Sequence, residues 1–178
     1  PGEAVTLSPG SYEIGEDIEE GRYEIGQGDT SAGALATSDS EGTRIVEIAM
    51  GYFTEQITLD LSEGMQLDYK SRDAEVELVP VEEGMMDIVA DERFIIPAGI
   101  HEVGRHLKSG EYSLVTDHLP VQRADGENAV YANYLSTSSF LVNDPLLEGE
   151  MTDIEELLVT LNEGDMIISE YPITIKKE

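Results

Sequence analysis

The chain has 178 residues, 40% of them apolar, enough for packed cores in one medium domain or two small ones. Its 38 Asp and Glu against 10 Lys and Arg leave a net charge of −28, a field that repels nucleic-acid phosphates and anionic membrane surfaces alike. Cysteine is absent, which excludes a disulfide framework, thiolate metal sites and a cysteine nucleophile while leaving the compartment open.

The first residues, PGEAVTLSPG, carry neither a basic nor an apolar leader pattern. No later apolar run approaches the roughly 18 residues that span a bilayer, so no direct membrane insertion is expected of this segment. Since the chain starts at Pro1 without a Met, it reads as a trimmed or mature fragment.

From Tyr12 to Gly26 the chain spells YEIGEDIEEGRYEIG. Tyr12/Ile14 and Tyr23/Ile25 are strand tips on either side of a loop, with Gly15 and Gly21 at structural turns where a side chain would be penalised. Asp17 is expected to cap the loop by an Asx-type hydrogen bond, and Ile18 to tuck inward as its anchor. Further alternating runs follow at Ile45 to Ile48, Ile57/Leu59/Leu61, Met65/Leu67/Tyr69 and Val76/Leu78. Each is bounded by Gly, Pro, Asp or Ser, the period-two signature of half-buried strands. The first unit ends near Val81, and the next begins near Phe94. Between them, Met85, Met86, Ile88 and Val89 are too apolar for a free linker and predict that the two domains pack against one another there.

The second unit repeats the first. At an offset of 89, IHEVGRHLKSGEYSL aligns Gly99 with Gly10, Val103 with Ile14, Gly104 with Gly15, Leu107 with Ile18, Gly110 with Gly21 and Tyr112 with Tyr23. Gly21 and Gly110 are therefore expected in equivalent turns with positive φ, and Gly104, like Gly15, at a structural turn. Farther on, ITLDLSEGMQLDY resembles LLVTLNEGDMIISEY at an offset of 100, so the second copy has gained about eleven residues, assigned to an insertion near 143–153. Thr152 to Glu155 spells a capping box, allowing one helical turn before a strand at Leu157 to Leu161. With about seven short strands per unit, the chain is read as all-β: two tandem antiparallel β-sandwich, jelly-roll-like domains related by internal duplication, at 1–87 and 88–178. Because Arg105 replaces Glu16 and His106 replaces Asp17 while the apolar and glycine skeleton persists, the skeleton is structural and the charges are tolerated decoration.

The pattern G-x-Y-x-I-G-x-D-I-x-x-G-x-Y from Gly10 to Tyr23, followed late in the unit by Leu-x-Glu-Gly, resembles a repeated domain of secreted proteins and lipoproteins of Gram-positive bacteria. The resemblance covers both units. It implies an extracellular β-rich module, secreted or attached to the cell surface, of uncharacterised role and without catalytic residues to carry over. His101, Arg105 and His106 depart from the pattern, which argues against a ligand site shared by both units.

Chemistry is sparse. His101, His106 and His118 are the only imidazoles, all in the second unit, and no Gly-x-Ser-x-Gly elbow, phosphate loop or His-Glu-x-x-His motif occurs. His101 is assigned to a strand and His106 to a loop, and a hydrolase is the least favoured reading. Calcium is the one cofactor to consider, at the oxygen-rich stretch Asn143 to Glu156 with Asp144, Glu148, Glu150 and Asp153 as ligands, although the spacing of a dedicated calcium loop is missing. Carbohydrate binding on Tyr131 and Tyr134 is disfavoured because their separation places them on opposite faces of a strand and Trp is absent. The sequence thus points to a monomeric, non-enzymatic interaction or spacer module without a cofactor, its partner an unknown protein or a cell-wall component. Any specific binding is expected at the insertion, where Leu146 and Leu147 sit among acids.

Overall fold

The computed structural model describes residues 2–27, 33–51, 54–115, 156–169 and 172–178. The chain is all-β, with no helix among the described residues and several antiparallel sheets. No helix of the described residues is long and apolar enough to cross a membrane. Two compact units divide the chain, Pro1–Glu83 and Gly84–Glu178.

Among its described residues the first unit has eight strands: β1 (Val5–Leu7), β2 (Gly10–Glu13), β3 (Gly21–Gln27), β4 (Gly33–Ser38), β5 (Arg44–Met50), β6 (Gln56–Leu61), β7 (Gln66–Ser71) and β8 (Val76–Pro80). Neighbours pair in two runs of four, β1-β8-β3-β6 and β2-β7-β4-β5. The expected seven becomes eight because β1 is only three residues long and β4, GALATS, is built of small side chains that do not advertise alternation. Small residues suit β4, which pairs with β7 on one side and β5 on the other and buries Leu35, Ala36, Thr37 and Ser38. A register shift between Thr37 and Ser38, which pair with Val46 and Arg44, leaves Ile45 as an extra, bulged residue on β5.

Alternation builds the core. Tyr23 and Ile25 on β3, Ile57, Leu59 and Leu61 on β6, and Val76 and Leu78 on β8 are all buried, as are Leu67 and Tyr69 on β7 and Val46, Ile48 and Met50 on β5. Each such aliphatic side chain contributes about 1.5–3 kcal/mol when removed from water. Arg22, beside Tyr23 on β3 and so on the opposite face of the strand, is also buried at 8% exposure, and its guanidinium pairs with Asp60 across the β3–β6 ladder at 3.3 Å.

The second unit has β9 (Arg93–Ile96), β10 (Ala98–Glu102), β11 (Gly110–Val115), β12 (Glu156–Leu161), β13 (Met166–Ser169) and β14 (Ile173–Lys177). Among the described residues these form the run β12-β11-β14-β9 and the pair β10-β13. Leu157 to Leu161 is strand, as its alignment with Ile57 to Leu61 requires. Ile96, Val103, Leu107, Tyr112, Leu161, Ile167, Ile173 and Ile175 form the core, and Met86, Ile88 and Phe94 pack against it. The apolar spelling of the junction thus serves the second unit's own interior, while Met85 and Val89 stay exposed. The capping box at Thr152 to Glu155 and the insertion near 143–153, with Leu146 and Leu147, lie outside the described residues.

Candidate functional site

The segment between β2 and β3 is a closed turn. Gly15, at φ 98°, donates its N–H to the Ile18 carbonyl at 2.7 Å, and Ile14 and Ile18 form an isolated parallel bridge that leaves both side chains buried. Asp17 accepts from the Glu13 N–H through Oδ2 at 2.8 Å, so it caps backward onto the strand it follows. The turn is fastened to the one preceding β7: Ile14 N–H donates to the Met65 carbonyl and Gly64 N–H to the Ile14 carbonyl, both at 2.9 Å.

The second unit makes the same bonds with other side chains. Gly104, also at φ 98°, donates to the Leu107 carbonyl at 2.7 Å, Val103 bridges Leu107, and the turn before β13 is fastened by Val103 N–H donating to the Asp165 carbonyl at 2.8 Å and Gly164 N–H to the Val103 carbonyl at 2.9 Å. Nδ1 of His106 accepts from the Glu102 N–H at 2.9 Å. His106 therefore does the work of Asp17, which corrects the expectation that the charges in this loop are decoration; Arg105, half exposed, pairs with Glu102 at 3.1 Å. An N–H at the start of the turn needs an acceptor, and either a carboxylate oxygen or a neutral imidazole nitrogen supplies one.

The aromatic positions agree in the same way. Tyr12 donates its hydroxyl to the Ser8 carbonyl at 2.6 Å, Tyr23 to Glu19 at 2.8 Å and Tyr112 to Lys108 at 2.5 Å, each reaching four residues upstream. His101, in the strand position of Tyr12, places Nε2 2.8 Å from the Pro97 carbonyl, which fixes that nitrogen as the donor. His101 and His106 are both buried, their rings edge to face at 6.3 Å. Replacing His106 with Ala is expected to cost about 1–3 kcal/mol by orphaning a part-buried backbone donor, and Asp17 with Ala less, about 0.5–1.5 kcal/mol, because the exposed Glu13 N–H can turn to water. Asn, which keeps an acceptor, should recover most of it, as read from chemical denaturation midpoints.

Beside the first unit's turn lies a groove of about 520 Å³ lined by Ser11, Tyr12, Glu13, Asp17, Asp39, Glu41 and Gln66 among others. Two of its carboxylates, Asp17 and Asp39, are engaged by the chain itself. Asp39 accepts from the Glu41 and Thr43 N–H groups at 2.9 and 2.8 Å, closing the β4–β5 connection, and the neighbouring Asp68 accepts from the Ser11 hydroxyl and from Gln66. Among the described residues, no three of the groove's carboxylates converge within metal-ligand reach of one another. The groove is an acidic, partly open surface suited to the side chains of a basic partner. TSDSEGT, dense in turn formers, was the available signal for the Asp39 connection; the groove itself combines segments far apart in the chain.

The other candidates of the sequence reading, His118, Tyr131, Tyr134 and the calcium set Asp144, Glu148, Glu150 and Asp153, lie outside the described residues. Compared with protein-family models, curated proteins and solved structures, the chain matches none of them.

Proposed function

We propose that the chain is a non-enzymatic extracellular or cell-surface interaction and spacer module, built as two tandem antiparallel β-sandwiches of jelly-roll type related by internal duplication. The observation that carries this reading is the shared hydrogen-bond framework: Tyr12, Asp17 and Tyr23 in one unit and His101, His106 and Tyr112 in the other each bind the backbone at matching positions. Polar side chains that a catalytic site would aim at substrate are spent here on holding turns. The strand orders β1-β8-β3-β6 and β2-β7-β4-β5 are those of a jelly roll, which supports the architectural part of the proposal. The placement outside the cell rests on the resemblance from Gly10 to Tyr23.

The surface on which the first unit meets a partner is the acidic groove, and the partner is basic. Full-length chain immobilised and challenged with cell-wall material and with basic and acidic surface proteins is expected to retain basic proteins at low salt and release them at high salt. Glu13→Lys with Glu41→Lys should weaken retention, since two carboxylates become cations. Hydrolysis of the cell-wall material, or retention that depends on added calcium, would replace this reading by the enzymatic or the metal-binding one.

A further inference from the structure

We propose that Met65 is an oxidation site, at which a peroxide removes a hydrogen bond that holds the turn before β7. That turn is closed twice. The Met65 N–H donates to the Ser62 carbonyl at 3.0 Å, and in return the Ser62 N–H donates to Sδ of Met65 at 3.1 Å. The second unit closes the turn before β13 in the same way: the Asp165 N–H donates to the Asn162 carbonyl at 3.0 Å, and the Asn162 N–H to Oδ2 of Asp165 at 2.8 Å. Gly64 and Gly164 hold matching φ of 83° and 89° inside the two turns. The side-chain acceptor differs, a thioether in one unit and a carboxylate in the other. Sulfur is the weaker acceptor of the two, and it is the one that can be oxidised.

The reaction balances with hydrogen peroxide alone. A sulfur lone pair attacks one peroxide oxygen, the O–O bond breaks, and the departing hydroxide takes the proton of the transferred oxygen, so that sulfur is oxidised to the sulfoxide by two electrons and water is released. Met65 is partly exposed and within reach of the oxidant, whereas Met50, 2% exposed, is closed off. Either lone pair of Met65 leads to the same result. Oxygen added on the side of Ser62 has no room in a gap of 3.1 Å and swings the side chain out, and oxygen added on the other side leaves an electron-poor sulfur that no longer accepts. The Ser62 N–H then turns to water, while the carboxylate of Asp165 is not oxidised. Met65 also fastens the two turns of its unit, since its carbonyl takes the Ile14 N–H at 2.9 Å, and Gly64 and Gln66 on either side of it line the acidic groove. Oxidation thus acts on one wall of the surface proposed above for a basic partner. Only that consequence rests on the earlier reading; the chemistry at Met65 is measured on the free chain and stands or falls without the partner.

Amide hydrogen exchange of the full chain before and after hydrogen peroxide, with the oxidation of each Met read by mass spectrometry of its peptides, tests it. Exchange at Ser62 is expected to quicken about three- to tenfold once Met65 is oxidised, the scale of one net hydrogen bond. Met65→Leu should show the faster exchange without oxidant and no further response to it. Met65→Asp, which borrows the acceptor of the second unit and keeps every other methionine, should hold Ser62 protected before and after treatment. Unchanged exchange at Ser62 with Met65 fully oxidised, an equal quickening in Met65→Asp, or a Met65 that stays reduced while the more exposed Met85 and Met166 react, overturns the proposal.

Discussion

Tyr23→Ala is expected to cost the first unit about 3–5 kcal/mol, and Tyr112→Ala a similar amount in the second, the scale of truncating a buried aromatic. Each ring is 1% exposed and stands in the middle of a ladder: Tyr23 pairs with Leu59 and Pro80, Tyr112 with Val159 and Lys177. Tyr→Phe at either position separates ring from hydroxyl and should cost only about 0.5–1.5 kcal/mol, the net value of the lost hydrogen bond. Urea midpoints of the four variants measure the difference, and equal losses for Ala and Phe would show that the ring is not the anchor. The hydroxyls also set an alkaline limit. Burial, and then the nearby Glu19 carboxylate, raise the Tyr23 pKa above its ordinary value of 10.0, and burial raises that of Tyr112. A neutral group whose folded pKa is raised stabilises the fold fully below its unfolded pKa and loses that contribution as pH climbs through the folded one. Stability should therefore fall above pH 10, and less steeply in the double Phe variant.

Gly104→Val and Gly15→Val should each cost at least about 1–3 kcal/mol in backbone strain, because φ 98° is a region that a β-branched residue scarcely occupies. Crowding adds to it: a Cβ on Gly104 would stand 2.8 Å from Cγ of Glu163, and one on Gly15 3.0 Å from Cγ of Glu63. Gly21 and Gly110 have φ of 159° and 154°, at the extended margin of the glycine region, and a Cβ there meets neighbours at 3.4 and 3.7 Å. Valine at those two positions should cost less than at Gly15 and Gly104. Thermal melts of the four single variants rank them, and a larger loss at Gly21 than at Gly15 would contradict this assignment of strain.

The repeated spelling around Tyr12 to Gly26 and Ile100 to Leu114 was legible because large apolar residues alternate there and glycines mark the turns. β4 was not, since Gly-Ala-Leu-Ala-Thr-Ser carries its burial in small and polar side chains that also suit a loop. The junction was ambiguous for a different reason: Met86 and Ile88 look the same in sequence whether they face a neighbouring domain or their own core. Equivalence of Asp17 and His106 was hidden by chemistry. A carboxylate and an imidazole share no charge or shape, only a lone pair at the right distance from a backbone N–H. The acidic groove was illegible because its residues come from three separated stretches, 11–17, 39–42 and 64–66.

The fastening between the two turns of each unit has a kinetic meaning. Ile14 and Gly64 join positions fifty residues apart, and Val103 and Gly164 join positions sixty-one apart, so neither clamp can form until most of its unit has been gathered. Units dominated by such distant contacts fold slowly for their size, on the order of milliseconds to seconds. Closing the longer loop is nevertheless hardly dearer: the logarithmic dependence of closure entropy makes eleven additional residues worth about 0.2 kcal/mol. Length between the fastened turns is therefore close to thermodynamically neutral, and the clamp of the second unit is hardly weaker for spanning eleven residues more.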